Sequence, residues 1–189
     1  MSKVFYDFEF TRKHQQTTPI SLGMVSEDGQ KQFYAEFSDY DVKQVDKWLE
    51  NHVFKSMTLN TKPEGYLFYQ DGLTEIKGSI EYVVTSSGGL MEWFDTIPGL
   101  ITLASFGSSY DHVLFRELFL QTNQTNIFNK IADFPYDVAT LFQEHGYDPH
   151  IEGEKERSVG INEYPNKHNA LFDAQIARYI YIKLKKYIL

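Results

Sequence analysis

The chain has 189 residues, of which 42% are hydrophobic, and it contains 15 phenylalanines and 13 tyrosines. That size and composition predict one folded, aromatic-rich domain and exclude an intrinsically disordered chain. Cysteine is absent, which excludes disulfides, thiolate-bound zinc and cysteine nucleophiles. No apolar run is long enough to span a bilayer and the N-terminus lacks a signal-peptide pattern, so a cytoplasmic protein is expected.

The net charge of −8 bears on the class of partner. Proteins that bind nucleic acids usually carry a basic surface, so an acidic balance argues against that class. The objection weakens if several carboxylates are neutralised by bound divalent metal. The positions of the carboxylates in the predicted elements therefore decide how the charge is interpreted.

The N-terminal part of the chain carries three strand patterns and one helix pattern. The strands are predicted over residues 3–10, 20–25 and 31–37. Apolar residues at spacings of three and four predict a helix over residues 39–54. Its apolar stripe consists of Val42, Val45, Trp48, Leu49 and Val53. Residues 55–88 show the weakest secondary-structure pattern, and either a second hairpin or an irregular peripheral insertion is expected there.

The rest of the chain combines helices with one buried strand. Helices are predicted over residues 90–97, 108–121, 137–147 and 169–188, and the strand over residues 99–107. Residues 148–168 are charged and bear proline and glycine, which predicts a long loop. Antiparallel strands followed by a strand enclosed by helices predict an α/β fold in which α-helices flank a mixed sheet. A single domain, residues 1–189, is expected.

The first strand places two carboxylates on one face. Successive side chains alternate between the faces of a strand, so Asp7 and Glu9 point the same way as Phe5. Two like charges roughly 7 Å apart on an apolar strand cost free energy unless a cation joins them. The arrangement therefore indicates a cation-binding face.

Two further carboxylates start helices. Asp173 is the one charged residue on the inward stripe of the last helix, and Asp111 lies in the first turn of the helix that follows the buried strand. Each alone is explained better as a carboxylate stabilised by the helix dipole. In conjunction with Asp7 and Glu9 they form a set of oxygen ligands that suits magnesium or manganese.

Three motifs carry a family resemblance. "DFE" on the first strand, "YD" opening a mid-chain helix and "HNALFD" near the end resemble the DEDD family of 3′–5′ exonucleases. His168 stands five residues before Asp173, as in the DEDDh branch. The chain looks most like the small bacterial and phage exoribonuclease branch and is more distantly similar to RNase T. The resemblance spans Lys3 to about Lys183 in order, except for residues 55–88.

This resemblance implies an RNase H-like sheet, antiparallel in its first three strands and then parallel at a central strand. It implies that Asp7 bridges two Mg²⁺ or Mn²⁺ ions and that Glu9 and Asp173 complete one site. It further implies that Asp111 supports the second site, partly through water, and that His168 is the general base for the attacking water. The alternative for His168 is a solvated loop histidine.

The implied activity is hydrolysis of single-stranded RNA or 3′ overhangs from the 3′ end. Phe10 and Arg12 are candidates for contacts with a base and a phosphate. Phe10-Thr11 replaces the glycine and hydroxyl that often follow the first motif in proofreading domains, which argues against proofreading. Residues 55–88 are candidates for a homodimer contact or a rim over the substrate. If a phage encodes the chain, the protein is expected in the cytoplasm of the host cell.

Three alternatives remain open from the sequence. One is a 3′–5′ exonuclease for single-stranded DNA, because the choice of sugar depends on contacts to the 2′-hydroxyl. Another is a non-catalytic nucleic-acid-binding module that keeps the fold. The last is a metal-dependent phosphohydrolase that acts on nucleotides.

Overall fold

The structure, a computed structural model, describes residues 1–161 and 167–186. Its strands are β1 Ser2–Phe10, β2 Pro19–Ser26, β3 Gln32–Phe37, β4 Tyr66–Gln70, β5 Leu73–Gly78, β6 Ile101–Ser105 and β7 Tyr136–Asp137. Its α-helices are α1 Lys47–His52, α2 Ile80–Thr85, α3 Leu90–Asp95, α4 Ser109–Gln121, α5 Val138–Glu144, α6 Glu154–Ser158 and α7 Ala170–Lys185. No helix within these described ranges is long and apolar enough to cross a membrane.

The seven strands form one mixed sheet in the order β4-β5-β3-β2-β1-β6-β7. β1, β2 and β3 pair antiparallel, and β6 pairs parallel with β1 on its other side. The predicted α/β class, with a mixed sheet flanked by helices, is confirmed. So is the predicted change from antiparallel to parallel pairing at the strand over residues 99–107.

The two faces of β1 belong to two cores. Val4, Tyr6 and Phe8 pack into the larger core, on the face covered by α2, α3 and α4. Phe5 packs on the opposite face, with α5 and α7. Because Asp7 and Glu9 alternate with the first group, they lie on the α7 face of the sheet. The prediction that they share a face with Phe5 is confirmed.

α7 approaches this face closely at a glycine. Gly23 on β2 pairs with Asp7 on β1, and a Cβ atom at Gly23 would lie only 2.1 Å from the backbone nitrogen of Leu171. Asn169 caps the helix by accepting from the backbone N–H of Phe172. The close approach and the cap set the first turn of α7, and with it Asp173, over the end of β1.

The helix predicted over residues 39–54 is shorter in the structure. It is divided into a 3₁₀ turn, Val42–Gln44, and α1, because Asp46 adopts extended backbone and caps α1 through the N–H of Leu49. Leu49 and Val53 are buried as expected, whereas Trp48 is 50% exposed. A continuous apolar stripe is therefore the wrong interpretation of this segment.

Residues 55–88 extend the sheet at one edge. β4 and β5 form a hairpin, one of the two alternatives predicted for this segment, through Asp71-Gly72, whose two positive φ angles match a type I′ turn. Residues 80–85 form α2 and not a strand, and residues 55–65, before β4, consist of turns and bends. Ile76, Val83 and Val84 are fully buried in the larger core, so this edge segment also completes the core.

The long loop predicted over residues 148–168 contains α6. Residues 162–166 of that loop and 187–189 after α7 lie outside the described residues. The predicted last helix begins at Ala170 and is described as far as Lys185. Its stripe is buried as expected, at Ala170, Asp173, Ala177, Ile180 and Leu184.

Candidate active site

Three of the predicted carboxylates converge at the end of β1 nearest α7. Asp7, Glu9 and Asp173 each present one oxygen, and these three oxygens lie within 4.8 Å of one another. All three side chains line an open cleft of about 540 Å³. Hard oxygen ligands at this spacing can hold a divalent cation of the magnesium type.

Asp111 lines the same cleft from the first turn of α4. The chain turns from β6 into this helix at Gly107, whose φ is +87°. The Asp111 carboxylate is buried, and its Oδ1 accepts from the backbone N–H of Phe8 at 3.0 Å. This bond ties the start of α4 to β1 and leaves Asp111 beside the three converging carboxylates.

The electrostatics of the cluster are unfavourable for four anions. Burial, reinforced by Asp173, Asp111 and Glu9, raises the pKa of Asp7 well above its ordinary value. Burial and the neighbouring carboxylates Asp173 and Asp111 raise the pKa of Glu9 to about 8. The pKa of Asp111 rises to about 7, chiefly through burial, despite its bond to the backbone. The cluster therefore favours protons or a bound cation.

Lys155 is a site residue that the sequence interpretation missed. It belongs to α6, and its Nζ donates to Asp173 Oδ1 at 2.8 Å. Burial works against its charge, yet Asp173 and Asp7 raise the pKa of Lys155 above its ordinary value. The one local signal was the charged run "EKERS" between Gly153 and Gly160, which is compatible with a short helix as well as with a loop.

His168 faces the cleft just before α7. Its Nδ1 lies 3.8 Å from Glu9 Oε1, and its side chain is partly buried. Burial lowers the pKa of His168 below its ordinary value, although Asp173 opposes the shift. The imidazole is therefore mainly neutral near pH 7, which is the form that can accept a proton.

Residues from α1 and the turn after it hold His168 in place. Its φ of +67° is unusual for a residue with a side chain. Ser56 Oγ donates to the His168 carbonyl, and Asn169 Nδ2 donates to the Ser56 carbonyl at 3.0 Å. The indole of Trp48 meets the imidazole edge to face, with 5.0 Å between the ring centroids. This contact with His168 explains why Trp48 lies outside the buried stripe of α1. The spacing of apolar residues in the sequence did not indicate the contact.

The two candidate substrate contacts differ in their surroundings. Phe10 lines the cleft and stacks on Tyr110, with ring centroids 5.5 Å apart. Arg12 is exposed, and its Nε donates to the carbonyl of Gln44 at 3.3 Å. Phe106 also lines the cleft, with the Lys155 ammonium 5.4 Å from its ring centroid.

In comparisons with known proteins, no protein-family model and no curated protein matches this chain.

Proposed function

We propose that the chain is a divalent-metal-dependent 3′–5′ exonuclease of the DEDDh type, built on an RNase H-like sheet, with single-stranded RNA as its preferred substrate. The observation that carries the proposal is the convergence of Asp7, Glu9 and Asp173 oxygens within 4.8 Å. Asp111 and His168 line the same cleft, so every residue that the family motifs single out faces one space. Polarity and the choice of RNA rest on the resemblance.

The donor set fits Mg²⁺ or Mn²⁺. Its atoms are carboxylate oxygens, and burial together with mutual repulsion makes the cluster a poor place for unneutralised anions. Asp7, Glu9 and Asp173 would hold the metal, with Asp111 supporting it; the resemblance implies two ions. Bound metal would lower the pKa of a water and steady the leaving oxygen of a phosphodiester.

The proton transfer falls to His168. A neutral imidazole at the edge of the cleft accepts the proton of the water that attacks the terminal phosphodiester. The bond from phosphorus to the preceding 3′ oxygen breaks, which releases a nucleoside monophosphate and leaves a new 3′-hydroxyl end. The lowered pKa of His168 keeps this base available at neutral pH.

The charge of the cleft rim suits a short single-stranded end. Lys13 and Lys167 are exposed residues that line the cleft, where Lys167 also pairs with Glu152, although the chain as a whole carries −8. Bound metal would neutralise part of that charge as well. A local basic rim is enough for a substrate that enters by its end, because only a few phosphates need to be neutralised.

The test is a time course on 5′-end-labelled RNA and DNA of one sequence, with Mg²⁺ or with excess EDTA. We expect a ladder of shortening labelled RNA with Mg²⁺, slower loss of DNA, and no cleavage in EDTA. Asp7→Asn should be inactive, and Asp133→Asn, at an exposed carboxylate, should retain activity.

The outcomes separate the alternatives. Full cleavage in EDTA would contradict the metal mechanism, and immediate release of a labelled mononucleotide would contradict the 3′–5′ polarity. Faster loss of DNA would reassign the substrate. Binding of the oligonucleotides without cleavage in Mg²⁺ or Mn²⁺ would favour the non-catalytic module.

A further inference from the structure

Lys155 reaches the acidic cluster from a short helix that is attached to α7. Ser158 Oγ donates to the Lys155 carbonyl at 2.7 Å, and Lys183 on α7 donates to the carbonyl of Ser158. Val159 and Ile161, just after α6, pack against the core that α7 shares with β1. The backbone of Lys155 is thus positioned by the same helix that carries Asp173.

The ammonium group is placed against a carboxylate that the proposed metal would need. Lys155 Nζ lies 2.8 Å from Asp173 Oδ1, and only 24% of the lysine side chain is exposed. The same Asp173 carboxylate supplies one of the three oxygens within 4.8 Å of one another. An ammonium and a divalent cation that share one carboxylate repel each other, and partial burial weakens the screening by water.

We propose that Lys155 competes with divalent metal for Asp173, so that this lysine sets the metal concentration at which the site fills. In the metal-free protein Lys155 supplies the counter-charge for Asp173. When metal binds, Asp173 exchanges this partner for the ion. The inference rests on the proposed metal site and adds to it a residue that lowers the affinity for metal.

The test compares Mn²⁺ binding to the wild type and to variants by titration calorimetry at pH 7.5. Lys155→Met keeps an unbranched side chain, one atom shorter, and removes the charge, and we expect the dissociation constant for Mn²⁺ to fall about tenfold or more. Lys155→Arg keeps the charge and should stay within about threefold of the wild type. Lys167→Met is the matched control, because Lys167 lines the same cleft but pairs with Glu152.

Thermal melting in EDTA and in saturating Mn²⁺ gives an independent readout. Lys155→Met should melt below the wild type in EDTA, because Asp173 loses its counter-charge inside an acidic cluster. In saturating Mn²⁺ the melting temperatures of Lys155→Met and the wild type should become similar. A lysine with only a structural role would lower the melting temperature in both conditions and would not tighten Mn²⁺ binding.

Lys155→Gln provides a second neutral variant, since its amide can still donate to Asp173 and support folding. Unchanged or weaker Mn²⁺ binding by both neutral variants would overturn the competition while leaving the metal site intact. Absence of Mn²⁺ binding in the wild type and in every variant would instead overturn the proposed metal dependence, and the competition with it.

Discussion

At the scale of single residues, His168 has a backbone conformation and a ring environment that both depend on neighbouring side chains. We expect His168→Ala to lower the rate of RNA cleavage by about 10²–10⁴, the usual contribution of a positioned general base. Mn²⁺ affinity should stay unchanged, because the imidazole is not among the three groups, Asp7, Glu9 and Asp173, whose oxygens converge. Single-turnover cleavage and calorimetry measure the two quantities, with His150→Ala, at an exposed histidine, as the control.

The pH–rate profile tests the same residue. A histidine base must be neutral to accept a proton, so the rate should rise as pH increases through its pKa. Since burial lowers the pKa of His168, that limb should lie below its ordinary value of 6.5. His168→Ala should lose the limb. A variant that keeps both the limb and most of the rate would show that another group is the base.

Glu9 links the charge of the site to the stability of the metal-free protein. Its pKa rises from an ordinary 4.5 to about 8 on folding, so the folded protein holds this proton more firmly than the unfolded chain. In EDTA the free energy of unfolding should therefore fall as pH rises through that window. Glu9→Gln should reduce the slope without removing it, because Asp7 and Asp111 contribute in the same direction.

Urea unfolding between pH 5 and 9 measures this slope. Glu117→Gln, at an exposed position on α4, is the control and should keep the wild-type slope. An unchanged slope in Glu9→Gln would mean that Glu9 ionises normally in the fold.

At the scale of elements, α1 holds the imidazole of His168 through Trp48. We expect Trp48→Leu to slow cleavage by about 10- to 100-fold, because a misplaced catalytic group loses most of its advantage. The rising limb of the pH–rate profile should move to higher pH, toward the ordinary pKa of histidine, because water reaches the imidazole. The melting temperature should change little, since half of the indole is exposed.

Tyr179→Leu is a matched control for this variant, because Tyr179 is an aromatic residue of similar exposure on α7. It should leave both the rate and the pH limb in place. If Trp48→Leu kept the wild-type rate and limb, then Ser56 and Asn169 alone would suffice to position His168.

The contact between α7 and β2 is a second element-scale feature with a testable consequence. A Cβ at residue 23 would meet the backbone of Leu171 at 2.1 Å, so Gly23→Ala must displace α7 or β2. We expect the free energy of unfolding to fall by about 1–3 kcal/mol. Mn²⁺ affinity should fall as well, because Asp173 moves away from Asp7. A variant with normal Mn²⁺ affinity would show that the first turn of α7 does not set the cluster.

At the scale of the whole molecule, bound metal should stabilise the fold. The proposed metal site combines Asp7 and Glu9 from β1 with Asp173 from α7, so the unfolded chain lacks it. Mn²⁺ at about 100 times its dissociation constant should add about 2.7 kcal/mol to the free energy of unfolding. Thermal melting in Mn²⁺ and in EDTA, with NaCl at equal ionic strength as control, measures the effect. A melting curve unmoved by millimolar Mn²⁺ would argue against a preformed site.

The sequence by itself determined the local features of this protein. The period of two in a strand places Asp7 and Glu9 on one face, and the spacing of three and four in α7 places Asp173 on the buried side. The absence of cysteine leaves oxygen and nitrogen as the donor atoms. These features could be predicted because they depend only on backbone geometry and side-chain chemistry.

Only the tertiary structure decided which of these groups meet and what accompanies them. Lys155 and Asp173 are 18 residues apart, and Ser56 and His168 are 112 apart, and no periodicity within either segment specifies that contact. Tertiary packing likewise decided the position of the β4–β5 hairpin at the edge of the sheet, the break between the 3₁₀ turn and α1, and the position of α6 on α7. Each depends on packing between segments distant in sequence, where the fold as a whole outweighs weak local preferences.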